Sequence, residues 1–258
     1  MKLVKAASLI RLAVRSFALL LVLGFQGYAT RHERLIDAWR PTHFNVTIKL
    51  DDQLTEIAAA RTEITIQVLR DKLATVDLDF GEMEIDTVSV AGVAAKFDRG
   101  PGRLNVHLPQ PASQGRRLVV AIDYHGRPKD GLMLETDKDG RPSATGDNWP
   151  DRVHHWIPCL DHPSAKATVT FKITAPAQEL ALANGRLDRV RDDSPTARTW
   201  TYVEDVPIPA YCMVIAVGEY AKLEPTTPAI TPLSYYVPQS DARFALQGFA
   251  AAAPSLKL

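Results

Sequence analysis

Cysteine is scarce in this sequence: Cys159 and Cys212 are the only two in 258 residues. That excludes a disulfide-dense scaffold and the four-cysteine zinc modules. An exported chain can join two such thiols, and a folded one can equally bury them as small apolar side chains. Net charge is missing too, since 30 Lys and Arg face 30 Asp and Glu. A neutral chain without a long basic run gives no reason to expect nucleic acid or anionic lipid as a partner. The catalytic signatures are equally absent. There is no Gly-rich phosphate loop, no G-x-S-x-G elbow and no complete H-E-x-x-H. His32-Glu33 begins the last of these, but Ile36 stands where the second histidine would be.

Long apolar runs are also lacking. The longest, Phe17 to Phe25, is well short of the roughly 20 residues that a membrane span needs. Lys2, Lys5, Arg11 and Arg15 precede it, and Gly27-Tyr28-Ala29 follows with small residues at alternate positions. A charged start, a short apolar core and a small-x-small site describe a secretory signal peptide. Residues 1–29 are therefore expected to be a leader cleaved after Ala29, and the protein to be exported, periplasmic or extracellular, without a stable membrane span.

From residue 40 onward the apolar side chains recur every second position. Phe44, Val46, Ile48 and Leu50 alternate with other residues in H-F-N-V-T-I-K-L. Ile64 to Leu69, Leu118 to Tyr124, Ala167 to Ile173, Thr199 to Val203 and Met213 to Val217 repeat the pattern. Alternation places one set of side chains on each face of a sheet. Many such runs divided by Pro, Gly, Asp and Asn predict a mainly β fold, an antiparallel β-sandwich-like domain of packed sheets over residues 30–239. Gly100-Pro101-Gly102 marks a turn, and Asn184-Gly185 a hairpin. A helix is expected only at the end, after a Ser240-Asp241 cap and through the alanine-rich run of residues 242–253.

The stretch H-H-W-I-P-C-L-D-H, residues 154–162, gathers three histidines, a cysteine and an aspartate. His154, His155, Cys159 and His162 are candidate zinc ligands. Structural zinc, however, is usually held by two separated ligand pairs. Here Cys159 and His162 make one pair, and adjacent His154 and His155 point to opposite faces of an extended chain. Pro158 and Pro163 stiffen the segment against wrapping an ion. The stretch therefore reads as a structural loop, with Asp161 as a hydrogen-bond acceptor that fixes it. Gly81-Glu82-Met83-Glu84, which has the look of a peptide-binding loop, lies in an alternating run and reads as turn and strand.

The wider segment G-D-N-W-P-D-R-V-H-H-W-I-P-C-L-D-H-P-S-A-K-A-T, from Gly146, resembles the N-terminal domain of the aminopeptidase N family of zinc metallopeptidases, the gluzincin aminopeptidases. The likeness rests on Trp156, Pro158, Cys159, Asp161, Pro163, Lys166, Ala167 and Thr168. It is supported by Gly131-Leu132-Met133, Ala183-Asn184-Gly185, and the run from Ile208 to Tyr220. The resemblance implies a non-catalytic β-domain of an enzyme that removes N-terminal residues from peptides. Zinc would be held by a separate helical catalytic domain, with no cofactor or metal in this chain. The helix in residues 240–258 would be the first element of that domain. The expected partners are peptide substrates, through the parent enzyme, and a missing or separate catalytic domain. A stand-alone peptide- or protein-binding module is the alternative. The resemblance further implies that the loop at Asp147, Asn148 and Trp149 receives the substrate's N-terminal residue. The family's usual glutamine and glutamate are replaced here by Asp147 and Trp149. An aspartate can meet an ammonium group by charge. A tryptophan offers it a ring face instead.

Overall fold

Alternation does produce strands throughout. In the computed structural model, residues 37–137, 139–225 and 231–256 are described. The leader expected at residues 1–29 lies outside them. The chain first lays down β1 (Trp39–Leu50), β2 (Ile57–Val68), β3 (Leu73–Asp79), β4 (Glu84–Val90) and β5 (Val93–Ala94). Next come β6 (Phe97–Gly100), β7 (Arg103–Ala112), β8 (Arg117–Gly126), β9 (Leu132–Thr136) and β10 (Pro142–Gly146). After the 147–165 loop follow β11 (Lys166–Pro176), β12 (Leu180–Ala183), β13 (Arg186–Asp192), β14 (Ala197–Pro209), β15 (Ile215–Gly218), β16 (Tyr220–Leu223) and β17 (Tyr235–Pro238).

The largest sheet has eight strands in the order β13-β14-β11-β1-β2-β8-β4-β5. Three smaller sheets accompany it: β3-β7-β6, β12-β15-β10-β9 and the β16-β17 pair. The architecture is mainly β and mostly antiparallel, as the alternation predicts. One pairing departs from it. β1 and β11 run parallel, with Phe44 beside Val169 and Ile48 beside Ile173. More than a hundred residues separate these strands in sequence, which gives the chain room for the crossover that a parallel pair requires. Asn184-Gly185 also differs from expectation. It does not close a hairpin but passes the chain from β12, in the four-stranded sheet, to β13, in the eight-stranded one.

Inward-facing side chains of the large sheet and of β3 and β7 merge into one apolar cluster. Phe44, Ile48, Ile64, Ile66, Val76, Leu78, Val106, Ile122 and Phe171 belong to it, each at most 1 % exposed. The outermost strand β13 is exposed along its whole length and carries Arg186, Arg189 and Arg191. Charge on an edge strand discourages further strand pairing. The expected terminal helix is two short ones, Ala242–Gly248 and Ala252–Ser255, and Asp241 at the N-cap makes no side-chain capping bond. These helices belong to the same compact unit as the sheets, Ile36–Leu258.

Truncating Phe171, fully buried where β1, β11 and β14 meet, is expected to cost about 3–5 kcal/mol. Exposed Val93→Ala should stay within about 0.5 kcal/mol. Urea unfolding of the two variants checks the contrast, and equal midpoints would contradict this placement of the core.

Candidate functional site

The loop between β10 and β11 is built inward first. Trp156 is fully buried, and each of its polar groups has a partner. Its indole Nε1–H donates to Asn148 Oδ1 at 2.8 Å. Its carbonyl accepts the Tyr124 hydroxyl of β8 at 2.8 Å. That hydroxyl also meets Thr62 Oγ1 of β2 at 3.1 Å, and burial pushes the Tyr124 phenol well above its ordinary pKa. Asn148 Nδ2 donates in turn to the Met213 carbonyl at 2.6 Å. Asn148 is 2 % exposed. Both ends of its amide are thus used inside the protein.

The second half of the loop is clamped to β3. Cys159 and Asp79 exchange backbone hydrogen bonds of 2.7 and 3.0 Å. The Asp161 N–H donates to Asp79 Oδ2 at 2.9 Å, and Asp79 Oδ1 lies 2.6 Å from Arg103 Nη1. Asp161 is almost wholly buried and accepts from His154 Nδ1 at 2.8 Å. Burial opposes charge on His154, but the hydrogen bond and charge of Asp161, with Asp79 and Asp151 beyond, outweigh it and raise the pKa. The neighbouring His155 ring, 4.3 Å away between centroids, goes the other way, lowered by burial and by His154. Pro158 is buried and Pro163 exposed. Cys159 and Cys212 are not joined by a disulfide. Among the described residues no three His, Cys, Asp or Glu side chains are grouped so as to hold a metal. His154 Nδ1 meets Asp161 Oδ2 and His162 Nδ1 meets Ser164 Oγ, each at 2.8 Å.

With Asn148 turned inward, Asp147 and Trp149 are left outward. Trp149 is 66 % exposed and meets the Tyr211 ring edge-to-face, with centroids 5.3 Å apart and planes at 81°. The peptide bond from Trp149 to Pro150 is cis. Sequence reasoning passed over the residue that ties this edge together, Arg152. Its Nη2 lies 2.7 Å from Asp147 Oδ2 and its Nη1 3.3 Å from Asp130 Oδ1, and its Nε donates to the Trp149 carbonyl at 2.8 Å. Gly131 is the signal that was available. Its φ of +77° suits glycine, and a Cβ there would sit 2.2 Å from the Arg152 carbonyl.

Two outcomes follow from this geometry. Asn148→Ala strands the Trp156 indole N–H and the Met213 carbonyl in the interior and should cost about 1–3 kcal/mol, read by denaturant unfolding. The His154–Asp161 pair raises a folded-state pKa above the ordinary 6.5. Its stabilisation is therefore complete below that value and lost as pH rises through the raised one. NMR titration of the ring protons should place the His154 midpoint above that of His155; the reverse order would refute the pairing.

The chain matches the peptidase M1 N-terminal domain family over residues 40–212. It is 29 % identical to leukotriene A-4 hydrolase of Xenopus laevis over 206 residues, 72 % of this chain and 34 % of that protein. It is 22 % identical to leucine aminopeptidase 2 of Pyricularia oryzae over 203 residues, 72 % of this chain and 32 % of that one. The chain thus spans about a third of the length of these curated relatives. An M1 zinc metallopeptidase from Deinococcus radiodurans shares the fold with a TM-score of 0.66, at 18 % identity, over 81 % of this chain and 52 % of that one. With the family matched over most of its β-structure, the chain belongs to the peptidase M1 N-terminal domain family.

Proposed function

We propose that this chain is the non-catalytic β-domain of an exported zinc metallo-aminopeptidase, an enzyme that removes N-terminal residues from peptides. In this reading zinc is bound by a catalytic domain outside residues 37–256. The 147–149 loop is the edge that faces the peptide's first residue, through Asp147 and Trp149.

The observation that carries the reading is the loop's division of labour. Trp156, Asn148, Asp161 and Cys159 spend their polar groups on the interior. Asp147 and Trp149 remain on a solvent-facing edge, and a tryptophan 66 % exposed is a group ready to be covered. Further support comes from the C-terminal end. Phe244 and Leu246 on the first short helix and Phe249 just after it are each more than a third exposed. Apolar side chains grouped on a surface suit contact with another domain.

The chain by itself should show no zinc-dependent release of aminoacyl coumarins above a buffer blank. Turnover that is abolished by a chelator and restored by zinc would overturn the reading. Export has a separate check. When the full sequence is expressed in a bacterial host with periplasmic fractionation, the mature chain should begin at Thr30. An intact N-terminus in the cytoplasmic fraction would refute it.

A further inference from the structure

The four-stranded sheet carries a cleft of its own. Ala144, Ala181 and Val217 of its strands point to the core. Their neighbours Ser143, Thr145, Leu182, Ala216 and Gly218 therefore share the other face. Tyr220 of β16 and Tyr236 and Pro238 of β17 complete the lining of a cavity of about 380 Å³ there. That is the lower end of the size range of small-ligand pockets. Small residues give the cleft its depth. Ala216 lies between Thr145 and Leu182 in register, and a Cβ at Gly218 would sit 3.4 Å from Ser143 Cβ and from the Tyr220 ring.

Arg141, just before β10, stands on the wall of this cleft. Its backbone N–H donates to Asp137 Oδ1 at 2.9 Å, but its guanidinium is poorly matched. Nη1 is buried with no hydrogen-bond partner among the described residues. Asp139 lies 3.6 Å from Nη2 and Glu219 3.5 Å from Nε. Both distances exceed the roughly 2.7–3.2 Å of a good hydrogen bond. A buried donor left unpaired is costly, and the guanidinium fork is shaped for a carboxylate that accepts from two N–H groups at once.

We propose that this cleft binds a small carboxylate with an apolar body. Arg141 takes the carboxylate, and Leu182, Ala216 and the rings of Tyr220 and Tyr236 cover the body. A free acid and the C-terminal residue of a polypeptide both supply such a group. Glu219 is the opposing charge and limits the affinity. None of these residues belongs to the 147–149 loop, so the inference stands apart from the role proposed for that loop.

The probes are para-fluorophenylacetate and its neutral amide, and N-acetyl-Ala-Ala-Phe and its C-terminal amide. Each is titrated into the full chain and followed by ligand NMR line width. The acid should bind about tenfold more tightly than its amide, the ratio that a hydrogen bond to a charged group supplies. That preference in the first pair alone makes free acids the source, in the second alone a polypeptide end; each supports the site. Arg141→Gln should abolish the preference. Ala216→Leu, which fills the floor without removing a polar group, should weaken acid and amide alike. Glu219→Gln should tighten the acid about threefold by removing an exposed like charge, a gain that the loss of a structural ion pair would not give. Far-UV circular dichroism of each variant should match that of the parent chain. Equal affinity of acid and amide in both pairs would overturn the proposal, as would a preference that survives Arg141→Gln or no binding of any probe at millimolar concentration.

Discussion

Trp156 is the point on which the rest of the loop depends. Among the described residues the buried polar ones are Thr62 and Asn148, and both serve it. Asn148 takes the indole proton, and Thr62 orients the tyrosine that caps the carbonyl. A buried polar group left without a partner costs as much as several good contacts supply. The network therefore has one arrangement, and it sets the positions of everything attached to Trp156. Asn148 is pulled inward, and its two neighbours must then point out.

The same economy governs the far side of the loop. Asp79, the last residue of β3, meets the backbone of Cys159 and Asp161 and the guanidinium of Arg103. Asp161 in turn holds His154. A segment rich in zinc-ligand residue types is thereby committed to hydrogen bonds. His154 is engaged by Asp161 and His162 by Ser164 Oγ. The proline on each side of Cys159 adds stiffness without adding chemistry.

The strands were legible because their signal is local. Phe44 to Leu50 alternates in sequence and alternates in burial. Three things were not. The parallel partnership of β1 with β11 depends on residues far apart in sequence. Asn184-Gly185 has the composition of a hairpin turn but joins two sheets, because β12 finds its partner in β15 and β13 finds its partner in β14. The contacts of Arg152 and Tyr211 could not be read from sequence, since they lie with Asp130, Asp147 and Trp149, which only the fold brings beside them.

By itself, then, the sequence determined that this is a mainly β protein, where its strands run, and to which family its proline–cysteine–aspartate segment is similar. Those properties follow from side-chain period and residue identity, which a linear text carries in full. Tertiary structure decided which strands are neighbours, that Asn148 is a buried brace beside two exposed residues, and that Arg152 ties the β8–β9 turn to the loop. These outcomes depend on satisfying buried hydrogen bonds and charges in three dimensions. Their partners come from β2, β3, β8 and the segment before β15, tens of residues away along the chain.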